Sequence, residues 1–147
     1  MELIGTMLSN ELIVASALGW LSAQVLKTLI DWARSRTFNP HLLVGAGGMP
    51  SAHSALVTAL ATATGITQGV DTALFAVTAI LAAVVMYDAA GVRQAVDRQS
   101  RVLSHLLVHM PPTHRDFDQF LEELVGHTRV QVVAGALVGF AVAMLYV

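Results

Sequence analysis

Two histidines stand at the entrances of long apolar runs: His53 in Gly47-Gly48-Met49-Pro50-Ser51-Ala52-His53, and His127 in Gly126-His127-Thr128. Glycine and proline interrupt helices, while Ser51 and Thr128 are residue types that cap them, so each imidazole falls at a helix entrance. The unpaired N–H groups and the positive dipole end found there favour an anion. Lys27, Asp31 and Arg34 are spaced i, i+4, i+7 and therefore share one helix face. Asp88 and Arg93 flank Gly91 farther along the chain. Two imidazoles, two helix N-termini and at least three cations brought around one point would suit a phosphate group best. Taken singly, each residue has a plainer role. Lys27 and Arg34 could snorkel at a helix end with Asp31 as an ordinary partner, and His53 could cap or pack.

The elements that must position these groups are apolar to an unusual degree. Of 147 residues, 55% are hydrophobic and only 12% charged, and the mean hydropathy is +0.66. So few charges cannot clothe an ordinary soluble domain, which makes lipid the expected solvent in preference to a soluble all-α protein with buried core helices. Between Thr37 and Tyr87 the only Asp, Glu, Lys or Arg is Asp71, and none occurs in Leu12–Leu26 or after Arg129. Crossing a bilayer takes about 20 mainly apolar residues, and the windows near 10–30, 72–90 and 130–147 approach or reach that length. A shorter fourth window, 54–69, is rich in Ala, Thr and Gly and reads as an inner span packed among other helices. The fold expected is an all-α, polytopic membrane bundle of about four transmembrane helices plus an interfacial helix, forming a single domain over residues 1–147.

Boundary signals divide the chain in the same way. Asn10 can cap the first helix, Pro50-Ser51 can open the second, Gly65 and Gly69 end it, Asp71 can cap the third, and Thr128 the fourth. From Arg93 to His109, apolar Val96, Val102, Leu103, Leu106 and Leu107 alternate with charged residues. That stretch reads either as an amphipathic helix at the interface or as a soluble extension of the third helix, broken by Pro111-Pro112. Spans alternate in direction, so the segments following the first and the third lie on one side, and all 8 basic residues are in those two windows. The positive-inside rule then puts them in the cytoplasm and both termini outside. A chain that opens on Glu2, with a first apolar run too long for a signal h-region, is not expected to carry a cleaved leader. With 0 cysteines, disulfides and thiolate metal sites are excluded.

Lys27 and Arg34 with six residues between them, then Pro50-Ser51-Ala52-His53, then His127 with a polar residue four positions on, resemble the three-part signature of the type 2 phosphatidic acid phosphatase and vanadium haloperoxidase superfamily. "GGMPSAHSA", "VVMYDAAGVRQAV" and "ELVGHTRVQVVAGALVG" look like its short divergent branch of membrane proteins, over roughly residues 10–145. The resemblance implies phosphomonoester hydrolysis without an obligatory metal or other cofactor. By that analogy His127 is the nucleophile and His53 the acid and base. Lys27, Arg34 and Ser51 would hold the non-bridging oxygens. The chain departs from the superfamily pattern at Ser35, where a proline is usual, at Leu121, where an arginine is usual, and at Gln131, where a carboxylate is usual. Arg93 is then the cation available from the third helix. Gln131, Asp88 and Glu123 are the groups available to orient the site, although an amide adds no charge behind an imidazolium.

The function these readings imply is a membrane phosphatase acting on a lipid phosphomonoester: phosphatidylglycerophosphate, phosphatidate or a polyprenyl phosphate. Its expected setting is a bacterial inner membrane or its equivalent, with the site on the cytoplasmic face. Other classes remain: a non-catalytic protein that binds or transports phosphate or anionic lipid, and a Mg²⁺-dependent site built on Asp88, Asp97 and Glu123. The remaining histidines, 41, 105, 109 and 114, read as surface or interfacial. The expected partners are the bilayer and a lipid phosphate, with no nucleic acid, and self-association is assigned to a small-residue face at Ala134, Gly135 and Gly139.

Overall fold

The computed structural model describes residues 5–6, 9–36, 48–107 and 128–147, with side chains for all of these except 92–98 and 100–107. Four helices carry the described fold: α1 (Glu11–Ser35), α2 (Ala52–Gln68), α3 (Ala73–Leu107) and α4 (Arg129–Tyr146). No strand occurs among the described residues.

Side chains at the ends fix where each helix begins. Asn10 Oδ1 accepts the Leu12 and Ile13 N–H groups at 3.0 and 3.3 Å, which satisfies two of the orphan donors of the first turn. α1 ends at Arg36, a left-handed residue (φ 58°) whose N–H closes on the Trp32 carbonyl at 2.9 Å. α2 stops at Gly69, whose φ of 94° is open to glycine. Gly65, read from the sequence as part of the stop, lies inside α2 instead. The cap of α3 is Thr72, not Asp71: the Thr72 hydroxyl accepts the Phe75 N–H at 3.2 Å and donates to the Gly69 carbonyl at 2.8 Å. That one hydroxyl ties together both sides of the tight α2–α3 turn.

Three of the helical segments, Glu11–Ser35, Ala73–Gly91 and Arg129–Tyr146, are long and apolar enough to cross a membrane. α2, at 17 residues, is shorter and central. It packs on α1, α3 and α4, α1 also packs on α4, and α3 barely touches α4. The residues it buries are small. Ala15, Ala59, Ala63 and Ala143 form one cluster with Leu12 against it, and Ala23, Ala52 and Ala55 form a second with Trp20 and Val138. Large apolar side chains point outward instead: Leu21 and Leu29 on α1, Val77 and Ile80 on α3, Leu137 and Phe140 on α4. Small inside and large outside is the arrangement of helices that associate by close backbone packing within lipid, where apolar bulk has no reason to hide. The protein is an integral membrane helical bundle.

Close approach has specific sites. A Cβ on Gly19 would sit 2.7 Å from the Ala59 Cβ, and on Gly135 or Gly139 it would overlap the carbonyl of Ser51 or of Ala55. Gly135 and Gly139 are therefore spent within the chain, against α2, while Ala134 beside them is half-buried. The small-residue face assigned to self-association is an intramolecular contact. α3 runs unbroken to Leu107, so the amphipathic stretch after Arg93 is the continuation of the third helix rather than a separate element up to that residue.

Candidate functional site

Gly48, Met49 and Pro50 lead into Ser51, the N-cap of α2, through a left-handed Gly48 (φ 92°) and a cis Met49–Pro50 bond. Ser51 is fully buried. Its Oγ accepts the Ser54 N–H at 3.3 Å and the Ser54 hydroxyl at 3.1 Å. Its backbone N–H reaches across to α4 and donates to the Gln131 carbonyl at 3.0 Å. That single inter-helix bond fastens the N-terminus of α2 to the first turn of α4, so two positive dipole ends stand side by side.

Lys27 completes this corner from α1. It is only 2% exposed, and its stem presses on Gly48, where a Cβ would stand 2.7 Å from Cδ and 2.9 Å from Cγ. Gly48 thus answers two demands at once, a positive φ and room for a lysine stem. The inner face of α1 carries Gln24, Lys27 and Thr28 together, all buried. A buried ammonium and two adjoining helix N-termini give the bundle end a positive field with little water to screen it, the electrostatic setting in which an oxyanion is held.

The expected groups fall into three sets. Lys27 packs on Gly48, three residues before the buried Ser51. His53 lies in the first turn of α2, two residues past Ser51, with an exposed ring. Arg34 lies in the last turn of α1, about two turns beyond Lys27, and is exposed, as is Asp88 on α3. His127 and Glu123 lie outside the described residues, and Arg93 and Asp97 belong to the part of α3 whose side chains are not described. The described chain resumes at Thr128, immediately after His127.

Gln131 has a definite place. Its Oε1 accepts the Thr128 N–H at 2.8 Å while its own N–H donates to Thr128 Oγ1 at 3.2 Å, a capping box that closes the start of α4. The side chain therefore folds back over the helix end, adjacent to His127 in sequence.

Two features escaped the sequence reading. Gln24 is 3% exposed and its Oε1 has no hydrogen-bond partner, a costly state for an amide in a membrane bundle. The available signal was that it is the only amide in the charge-free run Leu12–Leu26, three residues before Lys27. The second is a cleft of about 430 Å³ between α3 and α4, lined by Tyr87, Ala90, Gly91, Arg129, Val132 and Val133. Arg129 had served only as a charge for orienting the chain.

Comparison with known proteins gives two matches. The family profile described as "Divergent PAP2 family" matches residues 8–142. A membrane protein of Bacillus subtilis (strain 168), YuiD, itself named as uncharacterized, is 34% identical over 150 residues, covering 95% of each chain. No solved structure matches this chain.

Proposed function

Because the chain belongs to the Divergent PAP2 family, we propose that it is a lipid phosphate phosphatase whose site is the bundle end where α1, α2 and α4 meet. The observation that carries this reading is the Ser51 N–H bond to the Gln131 carbonyl at 3.0 Å, which sets two helix N-termini together beside buried Lys27.

A substrate keeps its tails in the bilayer and places its phosphate at this corner. Lys27, Ser51, Arg34 and Arg93 hold the non-bridging oxygens as charge builds in the transition state. A ring nitrogen of His127 attacks phosphorus, the ester P–O bond breaks, and the departing alkoxide takes a proton from His53. Neutral His53 then takes a proton from water. The hydroxide attacks phosphorus, the P–N bond breaks, and inorganic phosphate leaves with His127 restored. Phosphatidylglycerophosphate, phosphatidate and polyprenyl phosphates all have the required phosphomonoester and hydrocarbon anchor. The basic residues clustered in and after the C-terminal part of α1 and between Arg93 and Arg129 support a cytoplasmic setting for this site.

Purified protein in detergent, given a panel of lipid phosphates, is expected to release inorganic phosphate with inhibition by vanadate and tolerance of EDTA. His53→Ala and His127→Ala are each expected to reduce release by at least about 100-fold. Full activity in His127→Ala would remove the nucleophile assignment. Loss in EDTA with recovery in Mg²⁺ would favour the metal-dependent class.

Gln131 supports a second reading. An amide where the superfamily carries a carboxylate, already turned onto the Thr128 N–H, suits a protein that retains phosphate or anionic lipid without turnover. Saturable phosphate binding with no release from any member of the panel would select it.

A further inference from the structure

The cleft between α3 and α4 lies apart from the Lys27–Ser51 corner in its lining and combines three features. It exists because α3 packs on α2 and scarcely on α4, so the two membrane-spanning helices splay. Its lining is mostly apolar, with Ala90 and Gly91 from α3 and Val132 and Val133 from α4. Arg129, exposed, stands at the start of α4, and Tyr87, 79% exposed, lies one turn before Gly91 on α3. By sequence the apolar run of α3 gives way to Asp88 and Arg93, and Arg129 opens the apolar run of α4. The cleft thus sits where hydrocarbon gives way to headgroups, the level at which Tyr and Arg side chains concentrate.

Arg129 occupies the first position of α4, next to the Thr128 cap, and the first turn holds no acidic residue. A cation there opposes the helix dipole, and among the described residues no carboxylate pairs with it. Both the guanidinium and the helix end behind it call for an anion that the described chain does not supply. An apolar trough with a cation at its headgroup end and a phenol along its wall fits a ligand of matching polarity: an acyl chain below a phosphate.

We infer that the α3–α4 cleft is a binding seat for a phospholipid with an anionic headgroup, its phosphate on Arg129 and one acyl chain along Val132 and Val133. The seat draws on the same first turn of α4 as the proposed hydrolytic site but is lined by other side chains. A phosphate bound at Arg129 is held by groups other than Lys27 and Ser51, and nothing about the seat requires that any bond be broken there.

Native mass spectrometry of the protein released from nanodiscs of equal phosphatidylglycerol and phosphatidylcholine tests it directly. The wild type is expected to retain phosphatidylglycerol in preference to phosphatidylcholine, and Arg129→Gln to lower that preference about fivefold, the worth of one basic residue at a membrane surface. Val133→Trp, which fills the trough, is expected to remove retained lipid of both kinds. Ala90→Leu fills the same space from α3 and is expected to do likewise, so the result does not depend on one variant folding. Equal retention of the two lipids by wild type, an unchanged preference in Arg129→Gln, or lipid retained by both filled variants would each overturn the proposal. Displacement of the lipid by millimolar inorganic phosphate would overturn it too, since a free anion would then be the ligand. The readout is binding, so a protein that hydrolyses nothing can pass, and a phosphatase can fail.

Discussion

At the scale of single residues, Gln131 and Lys27 show how much one side chain is asked to do in an almost uncharged bundle. Gln131 closes the capping box with Thr128, and a glutamate at the same position makes the same reciprocal bonds. A carboxylate in a first turn is also favoured by the dipole, by about 0.3–1 kcal/mol. Gln131→Glu is therefore expected to leave the melting temperature unchanged or slightly raised. On the proposed mechanism, the added carboxylate is expected to raise phosphate release by roughly tenfold or more. Unchanged turnover in a variant with an intact melt would mean that another group already orients the imidazole. Lys27 was identifiable from its spacing to Arg34, but its burial was not, because that depends on Gly48 yielding space to its stem.

At the scale of elements, the α2–α4 contact is the one on which the proposed site rests, since it holds Ser51 against Gln131. Two glycines on α4 make it possible. A methyl group at Gly135 or Gly139 would run into the backbone of Ser51 or Ala55, which unlike the end of a flexible side chain cannot give way. Gly135→Ala and Gly139→Ala are each expected to cost roughly 1–3 kcal/mol, read as earlier loss of helical signal on denaturation in detergent. Gly91, by contrast, has open space around its Cβ position. Gly91→Ala is expected to be neutral or to stabilise by about 0.5–1 kcal/mol, because alanine suits a helix interior better. Equal destabilisation by all three would mean that the α2–α4 fit does not depend on close approach. The sequence marked these residues as an interface, correctly in kind, but could not say whether the partner was another copy or the same chain.

For the whole molecule, the decisive arrangement is which ends lie together. The Ser51–Gln131 bond and the Lys27–Gly48 contact place the C-terminal part of α1 and the starts of α2 and α4 at one end of the bundle. Of the 8 basic residues, Lys27 and Arg34 lie in the C-terminal part of α1, Arg36 just after it, Arg129 at the start of α4 and the other four from Arg93 to Arg115, the distribution on which the proposed cytoplasmic setting of that end rests. The chain has 0 cysteines, so single cysteines can be introduced on a clean background. Cysteine at Arg36 is expected to resist a membrane-impermeant thiol reagent in intact cells, and cysteine at Ser9 or Val147 to react with it. The opposite pattern would turn the site outward and overturn the cytoplasmic assignment.

The helices, their caps at Asn10, Ser51 and Thr128, and the membrane setting follow from the sequence by itself, because apolar run length, capping side chains and charge placement act locally along the chain. The tertiary structure alone decided that Gly135 and Gly139 turn inward, that Gln24 is left with an orphaned oxygen, and that α3 splays from α4 to open the cleft at Arg129. In water, the contrast between apolar and polar faces tells which side of a helix is buried. In lipid both sides are apolar, so only the fit of small residues against a neighbouring backbone distinguishes them, and that fit does not exist until the helices have met.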